Sequence, residues 1–109
     1  MSAFKTVQYF ITSPEIAEQR LHSATFLKAC ELFHGWLEDV INVYATEFFQ
    51  FGQIQRLPSG DFLLTQQQAQ FAIAIAPNTK PAIALKIELV LAFKQVLKQV
   101  SSQSSSQSK

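Results

Sequence analysis

Apolar and polar residues alternate near the start of the chain. Over residues 4–11 the apolar side chains fall two positions apart, and this period predicts a strand. The alternating positions are Val7, Tyr9 and Ile11. The next four residues, 12–15, read TSPE; either hydroxyl can cap a helix and Pro14 suits a first turn. We therefore predict a short helix over residues 14–20.

The following segments have helical spacing. A tight break at 21–23 precedes a helix over residues 24–33, with Ser23 as its cap. The predicted buried side chains of that helix lie three and four positions apart: Phe26, Leu27, Cys30 and Phe33 or Leu32. Gly35 ends this helix or kinks it into a further helix over residues 36–48. The predicted inner face of the further helix consists of Leu37, Ile41, Tyr44 and Phe48.

A hairpin is predicted next, since residues 51–57 and 61–64 flank the turn sequence Pro58-Ser59-Gly60. Thr65 and Gln68 then have the spacing of a capping box, which indicates a helix. Phe71, Ile73 and Ile75 alternate with alanines, so residues 70–76 also fit a strand. The alanines and the cap favour the helix.

A last helix is predicted from Thr79 or Lys80 to about Val100. Its predicted apolar stripe contains Ile83, Ile87, Val90 or Leu91, and Leu97. The segment 101–109, SSQSSSQSK, has no apolar residue and is predicted to be a disordered tail. The expected fold is α+β: one helix-rich domain over residues 1–100 with a β-hairpin and a long C-terminal helix.

Composition narrows the class of protein without identifying its function. The chain has 109 residues, 48% of them hydrophobic, with ten Phe against three Gly, as expected of a globular domain. A net charge of +1 argues against a polybasic tail or an acidic mimic. The one cysteine excludes an internal disulfide and a cysteine zinc cluster. Without a long apolar run or a signal-peptide pattern, we expect a soluble cytoplasmic protein that does not enter membranes.

The charges are unevenly distributed along the chain. Residues 14–47 carry two bases and six acids, whereas residues 80–109 carry five bases and one acid. Ordinary solvated helix faces explain this distribution, and so does a positive surface for an anionic partner.

Reactive side chains are not grouped as catalysis requires. The chain has no phosphate-binding glycine loop, no nucleophile elbow and no zinc-protease motif. His22 and His34 lie twelve positions apart, and Cys30 falls on a predicted apolar stripe. We therefore expect no enzymatic activity, no metal and no cofactor.

Two blocks of the sequence resemble phage regulatory proteins of the Rha type, which are akin to the KilA-N and Bro antirepressor domains. The first block, residues 9–33, resembles the family's serine, short "IAE" helix, histidine-containing turn and basic helix. Its matching residues are Ser13, Ile16, Ala17, Glu18, His22 and Lys28. The second block, residues 60–93, resembles the family's "G-x-x-x-L-T-x-x-x-A" helix and the helix after it. Its matching residues are Gly60, Leu64, Thr65, Ala69, Leu85, Lys86, Leu89, Val90, Ala92 and Phe93.

The resemblance implies a DNA-binding transcriptional regulator, a repressor or an antirepressor, of phage or prophage type. Helices 14–20 and 24–33 would then form a helix-turn-helix, and the hairpin would be wing-like. The implied contacts with double-stranded DNA are Arg20, His22, Ser23, Thr25 and Lys28 around the second helix, and Gln53, Gln55 and Arg56 on the hairpin. Alternatively, the two glutamines are ordinary polar residues that an edge strand exposes to solvent.

Few cations support this surface, so a homodimer is expected to supply the remaining phosphate contacts. Lys86, Lys94 and Lys98 could contribute in that dimer. The alternative function is a protein-binding module that modulates a host or phage protein without binding DNA. Exposure of the aromatic run Phe48, Phe49 and Phe51 would favour it.

Overall fold

The computed structural model describes residues 2–16 and 18–108 and has an α+β fold in which helices predominate. In chain order the elements are α1 (Ala3–Thr12), a 3₁₀ turn (Pro14–Ile16), β1 (Leu21–His22), α2 (Ser23–Cys30), α3 (His34–Val43), α4 (Ala45–Phe49), β2 (Gln55–Arg56), β3 (Phe62–Leu64), α5 (Gln66–Ile75) and α6 (Lys80–Ser108).

The N-terminal segment is a helix, so the strand predicted over residues 4–11 is wrong. Ser2 caps α1 by accepting a hydrogen bond from the Lys5 N–H at 3.2 Å. Val7, Phe10 and Ile11 are buried at helical spacing, whereas Tyr9, which a strand would have turned inward with Val7, is exposed. The segment contains both periodicities, and packing against α2, α5 and α6 selects the helical one.

The helix predicted over residues 14–20 is also wrong, because the preceding helix uses its capping residues. The Thr12 hydroxyl donates to the Gln8 carbonyl at 2.8 Å, and Ser13 is the C-cap of α1. Among the described residues of this stretch, 14–16 and 18–20, helical backbone is limited to the short 3₁₀ turn at Pro14–Ile16. The helix-turn-helix expected from residues 14–20 and 24–33 is therefore not present in this form.

Helix α2 has the predicted core residues but ends earlier than expected. Phe26, Leu27 and Cys30 are buried. Glu31 then adopts a left-handed conformation (φ 57°) and ends the helix. Phe33 therefore lies outside α2 with 82% of its surface exposed, contrary to its predicted burial, while Leu32 is half-buried.

The further helix begins at His34, one residue before Gly35, and is interrupted near Tyr44. Leu37, Ile41 and Phe48 are buried as predicted, but Tyr44 is exposed. The predicted helix over residues 36–48 is therefore two helices, α3 and α4, that join at this tyrosine.

The predicted hairpin is confirmed, and it forms part of a small antiparallel sheet. The strand order is β1–β3–β2: Leu21 pairs with Leu64 on one side of β3, and Arg56 pairs with Phe62 on the other. Gly60 has φ +95° in the connecting turn, where a glycine is favoured. In chain order α2 and α3 are consecutive helices joined by residues 31–33, and α4 and the hairpin follow them.

Helix α5 confirms the prediction from the capping box. The Thr65 hydroxyl accepts the Gln68 N–H at 3.1 Å, and the Gln68 side chain accepts the Thr65 N–H at 2.9 Å. The Gln68 amide also donates to the carbonyls of Phe48 and Gly52. Residues 70–75 belong to this helix, which decides the helix-or-strand alternative in favour of the helix.

Over residues 80–94, helix α6 buries a face other than the predicted stripe. Ala82 and Leu85 are buried and Leu89 is half-buried against the core, whereas Ile83 and Ile87 are exposed. The predicted burial of Leu97 falls outside the side chains that the structure describes. The small Ala82 suits close packing, and the helix is apolar on several sides, so its periodicity did not identify the inner face.

The backbone of α6 continues to Ser108, beyond the predicted end at Val100 and through most of the segment 101–109 for which the sequence predicts disorder. Pro81 is the last helix-breaking residue of the sequence, so no later proline or glycine interrupts the helix.

Candidate nucleic-acid interface

The sheet brings together predicted contact residues that are far apart in sequence. Arg20 lies just before β1 and Gln53 just before β2, and the Arg20 guanidinium donates to the Gln53 carbonyl at 3.1 Å. Arg20, Gln53, Gln55 and Arg56 are all exposed. Arg20 and Gln53, which precede the two edge strands, thus lie side by side. Together with three residues of the edge strands themselves they make up the group that we call the hairpin surface: Arg20, His22, Gln53, Gln55 and Arg56.

Ser23 has a structural role instead of its predicted role as a DNA contact. Its side chain is fully buried, and its hydroxyl accepts a hydrogen bond from the Phe62 N–H at 2.9 Å. This bond ties the first turn of α2 to the central strand. The sequence did not reveal it, because a serine before a helix is usually a solvent-exposed cap.

His22, and not Ser23, is the cap of α2. Its Nδ1 accepts the Ala24 N–H at 3.1 Å, which fixes the ring at the edge of the sheet. Its Nε2 lies 3.9 Å from the Asp61 carboxylate. His22 therefore remains half-exposed on the hairpin surface, next to an acidic neighbour.

Arg56 is held between an acid and an aromatic ring. Its Nη2 donates to the Glu38 carboxylate of α3 at 3.0 Å, and its guanidinium carbon lies 4.6 Å from the centre of the Phe62 ring. His34 stacks against the same Phe62 ring, with the ring centres 5.6 Å apart. These contacts fasten the hairpin to the first turns of α3, but Glu38 reduces the charge that Arg56 presents to an anion.

Sequence reasoning did not find the role of His34. It directly follows the helix predicted over residues 24–33, but in the structure it is the first residue of α3. Its Nδ1 lies 3.9 Å from Asp61 and has no hydrogen-bond partner among the described residues. The turn residue Asp61 thus lies between two histidines, a contact that only the folded sheet creates.

Thr25 and Lys28 form a second, smaller group on α2. Thr25 is half-buried, and Lys28 is exposed in the last turn. On α3, Asp39 is exposed and Glu38 is half-buried. Of the three cations of the predicted interface, Arg20, Lys28 and Arg56, the last is paired with Glu38.

The aromatic run does not form one exposed patch. Phe48 is buried and meets the Phe71 ring edge-on, with 5.1 Å between ring centres, and Phe51 is half-buried against the same ring. Only Phe49 of the three is exposed. Phe48 and Phe51 thus pack on the same ring, and the run does not supply the exposed aromatic patch that would favour a protein-binding module.

Cys30 is fully buried in the core, and this burial raises the pKa of its thiol to about 12. Within residues 2–16 and 18–108, no three His, Cys, Asp or Glu side chains are grouped as metal ligands. In the same part of the chain, no helix has both the length and the apolar character to cross a bilayer.

Comparisons of the chain with protein-family models, with curated proteins and with solved structures gave no match.

Proposed function

We propose that this chain is a small DNA-binding regulator of phage or prophage type, and that it contacts double-stranded DNA through the hairpin surface together with Lys28. The observation that carries the proposal is the contact of Arg20 with Gln53, which joins two predicted contact groups into one exposed surface. The consecutive helices α2 and α3, with α4 and the hairpin after them in the chain, are compatible with it.

In this proposal the hairpin reads the bases. A two-stranded ribbon fits the major groove, and the amides of Gln53 and Gln55 are suited to adenine edges. Arg20 and Lys28 would neutralise phosphates on either side. Helix α3 is less suited to enter the groove, because Glu38 and Asp39 would face phosphates.

The number of cations determines how strongly DNA binding should depend on salt. Two phosphate contacts from Arg20 and Lys28, with Arg56 paired to Glu38, predict a salt slope near −1.8, so affinity falls roughly 12-fold between about 50 and 200 mM salt. Two copies on one DNA would double the slope and make the loss roughly 150-fold. The slope therefore reports both the electrostatic contact and the number of copies bound.

The test is fluorescence anisotropy with a random-sequence duplex at about 50 and 200 mM salt. Arg20→Ala combined with Lys28→Ala should weaken binding and make the slope shallower by about 2 for each bound copy. Lys5→Ala combined with Lys80→Ala is the matched control, since it removes the same charge from exposed residues of α1 and α6. Absence of binding at both salt concentrations, or an equal loss in both double variants, would contradict the proposal.

A protein-binding module is the second candidate, and α3 supplies the observation that favours it. Phe33, just before α3, has 82% of its surface exposed, and α3 itself carries the acidic residues Glu38 and Asp39. An exposed aromatic residue before a helix that carries acids is suited to a basic protein partner. This candidate predicts no salt-sensitive DNA binding and capture of a protein from a lysate of the source organism that Phe33→Ser abolishes.

A further inference from the structure

Residues 87–93 of α6 form an apolar segment that the rest of the described chain does not cover. Ile87, Val90, Leu91 and Phe93 are 53%, 64%, 50% and 63% exposed. Neighbouring Leu89 and Ala92 are half-buried and line an open groove of about 990 Å³ between α6 and the end of α1. A helix that is apolar on nearly all sides is normally buried.

Within the described part of the chain, the residues that follow this segment continue α6 as far as Ser108. At 1.5 Å per residue the 29-residue helix is about 44 Å long, against 28 and 23 Å for the two shorter dimensions of the molecule. The exposed side chains of the segment are therefore accessible to a partner molecule.

We propose that residues 87–94 of α6 form a self-association surface that pairs antiparallel with the same residues of a second copy. Symmetric pairing of one patch with itself is the commonest way in which proteins form dimers. With the two-fold axis at Leu91, Glu88 of one copy lies at the same level as Lys94 of the other. Parallel pairing would instead bring the two Lys94 side chains together, so the charges favour the antiparallel arrangement.

The available area sets the expected affinity. Phe93 lies two residues after Leu91, on nearly the opposite side of the helix, so Ile87, Val90 and Leu91 provide the contact. With roughly 100 Å² accessible on each, they provide on the order of 300 Å² per copy, less than half of what a standard interface buries on each partner. The dimer should accordingly be weak and concentration-dependent, with a dissociation constant that is roughly micromolar. This inference does not depend on DNA binding.

Sedimentation velocity of the full chain from about 1 to 200 µM, without DNA, tests the proposal. We expect wild type to shift from monomer to dimer over this range. Leu91→Glu places two carboxylates at the axis and should raise the dissociation constant at least tenfold. Val43→Glu is the matched control, because it adds the same charge at an exposed apolar residue of α3 and should leave the dimer intact.

A charge exchange tests the antiparallel arrangement. Lys94→Glu alone should weaken the dimer, and combining it with Glu88→Lys should restore it. Circular dichroism verifies that every variant is folded. A wild-type chain that stays monomeric at 200 µM, or a Leu91→Glu variant that dimerises like wild type, would overturn the proposal; failure of the double exchange to restore the dimer would overturn the antiparallel pairing.

Discussion

Replacing Ser23 with alanine tests whether this residue stabilises the fold or contacts DNA. The Ser23 hydroxyl is the hydrogen-bond acceptor for the Phe62 N–H, at 2.9 Å in a fully buried position. Ser23→Ala removes the acceptor and leaves a backbone donor of the central strand without a partner. The substitution removes only one small polar atom, so the effect of cavity formation is minor.

The loss of this hydrogen bond determines how far the free energy of unfolding should fall. A buried donor without a partner costs about 1–3 kcal/mol, so we expect the free energy of unfolding to fall by about 2 kcal/mol. With a urea m-value of about 1–2 kcal/mol/M for a domain of this size, the unfolding midpoint should decrease by roughly 1–2 M. Affinity for DNA, measured where the variant is folded, should not change.

Urea unfolding followed by the fluorescence of Trp36 and by circular dichroism measures the effect. Thr25→Ala, in the same helix and half-buried, is the matched control and should change stability by no more than about 0.5 kcal/mol. If Ser23→Ala unfolds at the wild-type midpoint but binds DNA more weakly, the structural role is refuted and the sequence-based contact role is restored.

Three further changes test the packing of the core. Gln68→Leu should cost about 3 kcal/mol in urea unfolding, because it removes three side-chain hydrogen bonds of a fully buried amide, whereas Gln67→Leu at an exposed position should cost little. Because burial raises the pKa of the Cys30 thiol from 9.0 to about 12, the thiol stays neutral in the folded state at a pH where the unfolded thiol ionises. The free energy of unfolding should therefore decline as pH rises from 9 towards 12. The Cys30→Ala variant should show a smaller decline. Gly52→Ala should lower the melting temperature more than Gly60→Ala: both have positive φ, but a Cβ at Gly52 would meet the Thr65 methyl at 3.3 Å while one at Gly60 meets open space.

The sequence predicted those elements whose local signals agree with their packing. The Thr65–Gln68 box forms both of its hydrogen bonds, and the Pro58-Ser59-Gly60 turn closes the hairpin. In both cases the residues that cap the helix or form the turn interact with residues close to them in sequence. Local chemistry is then enough to determine the structure.

Where one segment supports two patterns, tertiary contacts decided between them. Residues 4–11 contain a strand period and a helix period, and the neighbouring helices select the latter. The capping residues 12–13 are used at the end of α1 and so do not start a helix. The inner face of α6 could not be read from a helix that is apolar on several sides.

The candidate interface was predicted in part. The exposure of Arg20, Gln53, Gln55 and Arg56 agrees with their assignment to a surface, whereas Ser23 belongs to the core. The contacts of Glu38 with Arg56, and of Asp61 with the two histidines, join residues far apart in sequence. Contacts between residues far apart in sequence produce no local sequence pattern from which they could be predicted. DNA binding itself remains a prediction.

The affinity of the Glu38→Gln variant for a random-sequence duplex is the measurement that tests the proposed DNA interface most directly. The substitution removes one negative charge and releases Arg56 from its ion pair, so it adds about one effective phosphate contact. At about 50 mM salt we predict that binding becomes roughly five- to tenfold tighter, with a salt slope steeper by about 1 per bound copy. Glu47→Gln, at an exposed acid of α4, controls for the change in net charge. Unchanged or weaker binding in Glu38→Gln, or an equal gain in both variants, would contradict the assignment of DNA binding to the hairpin surface.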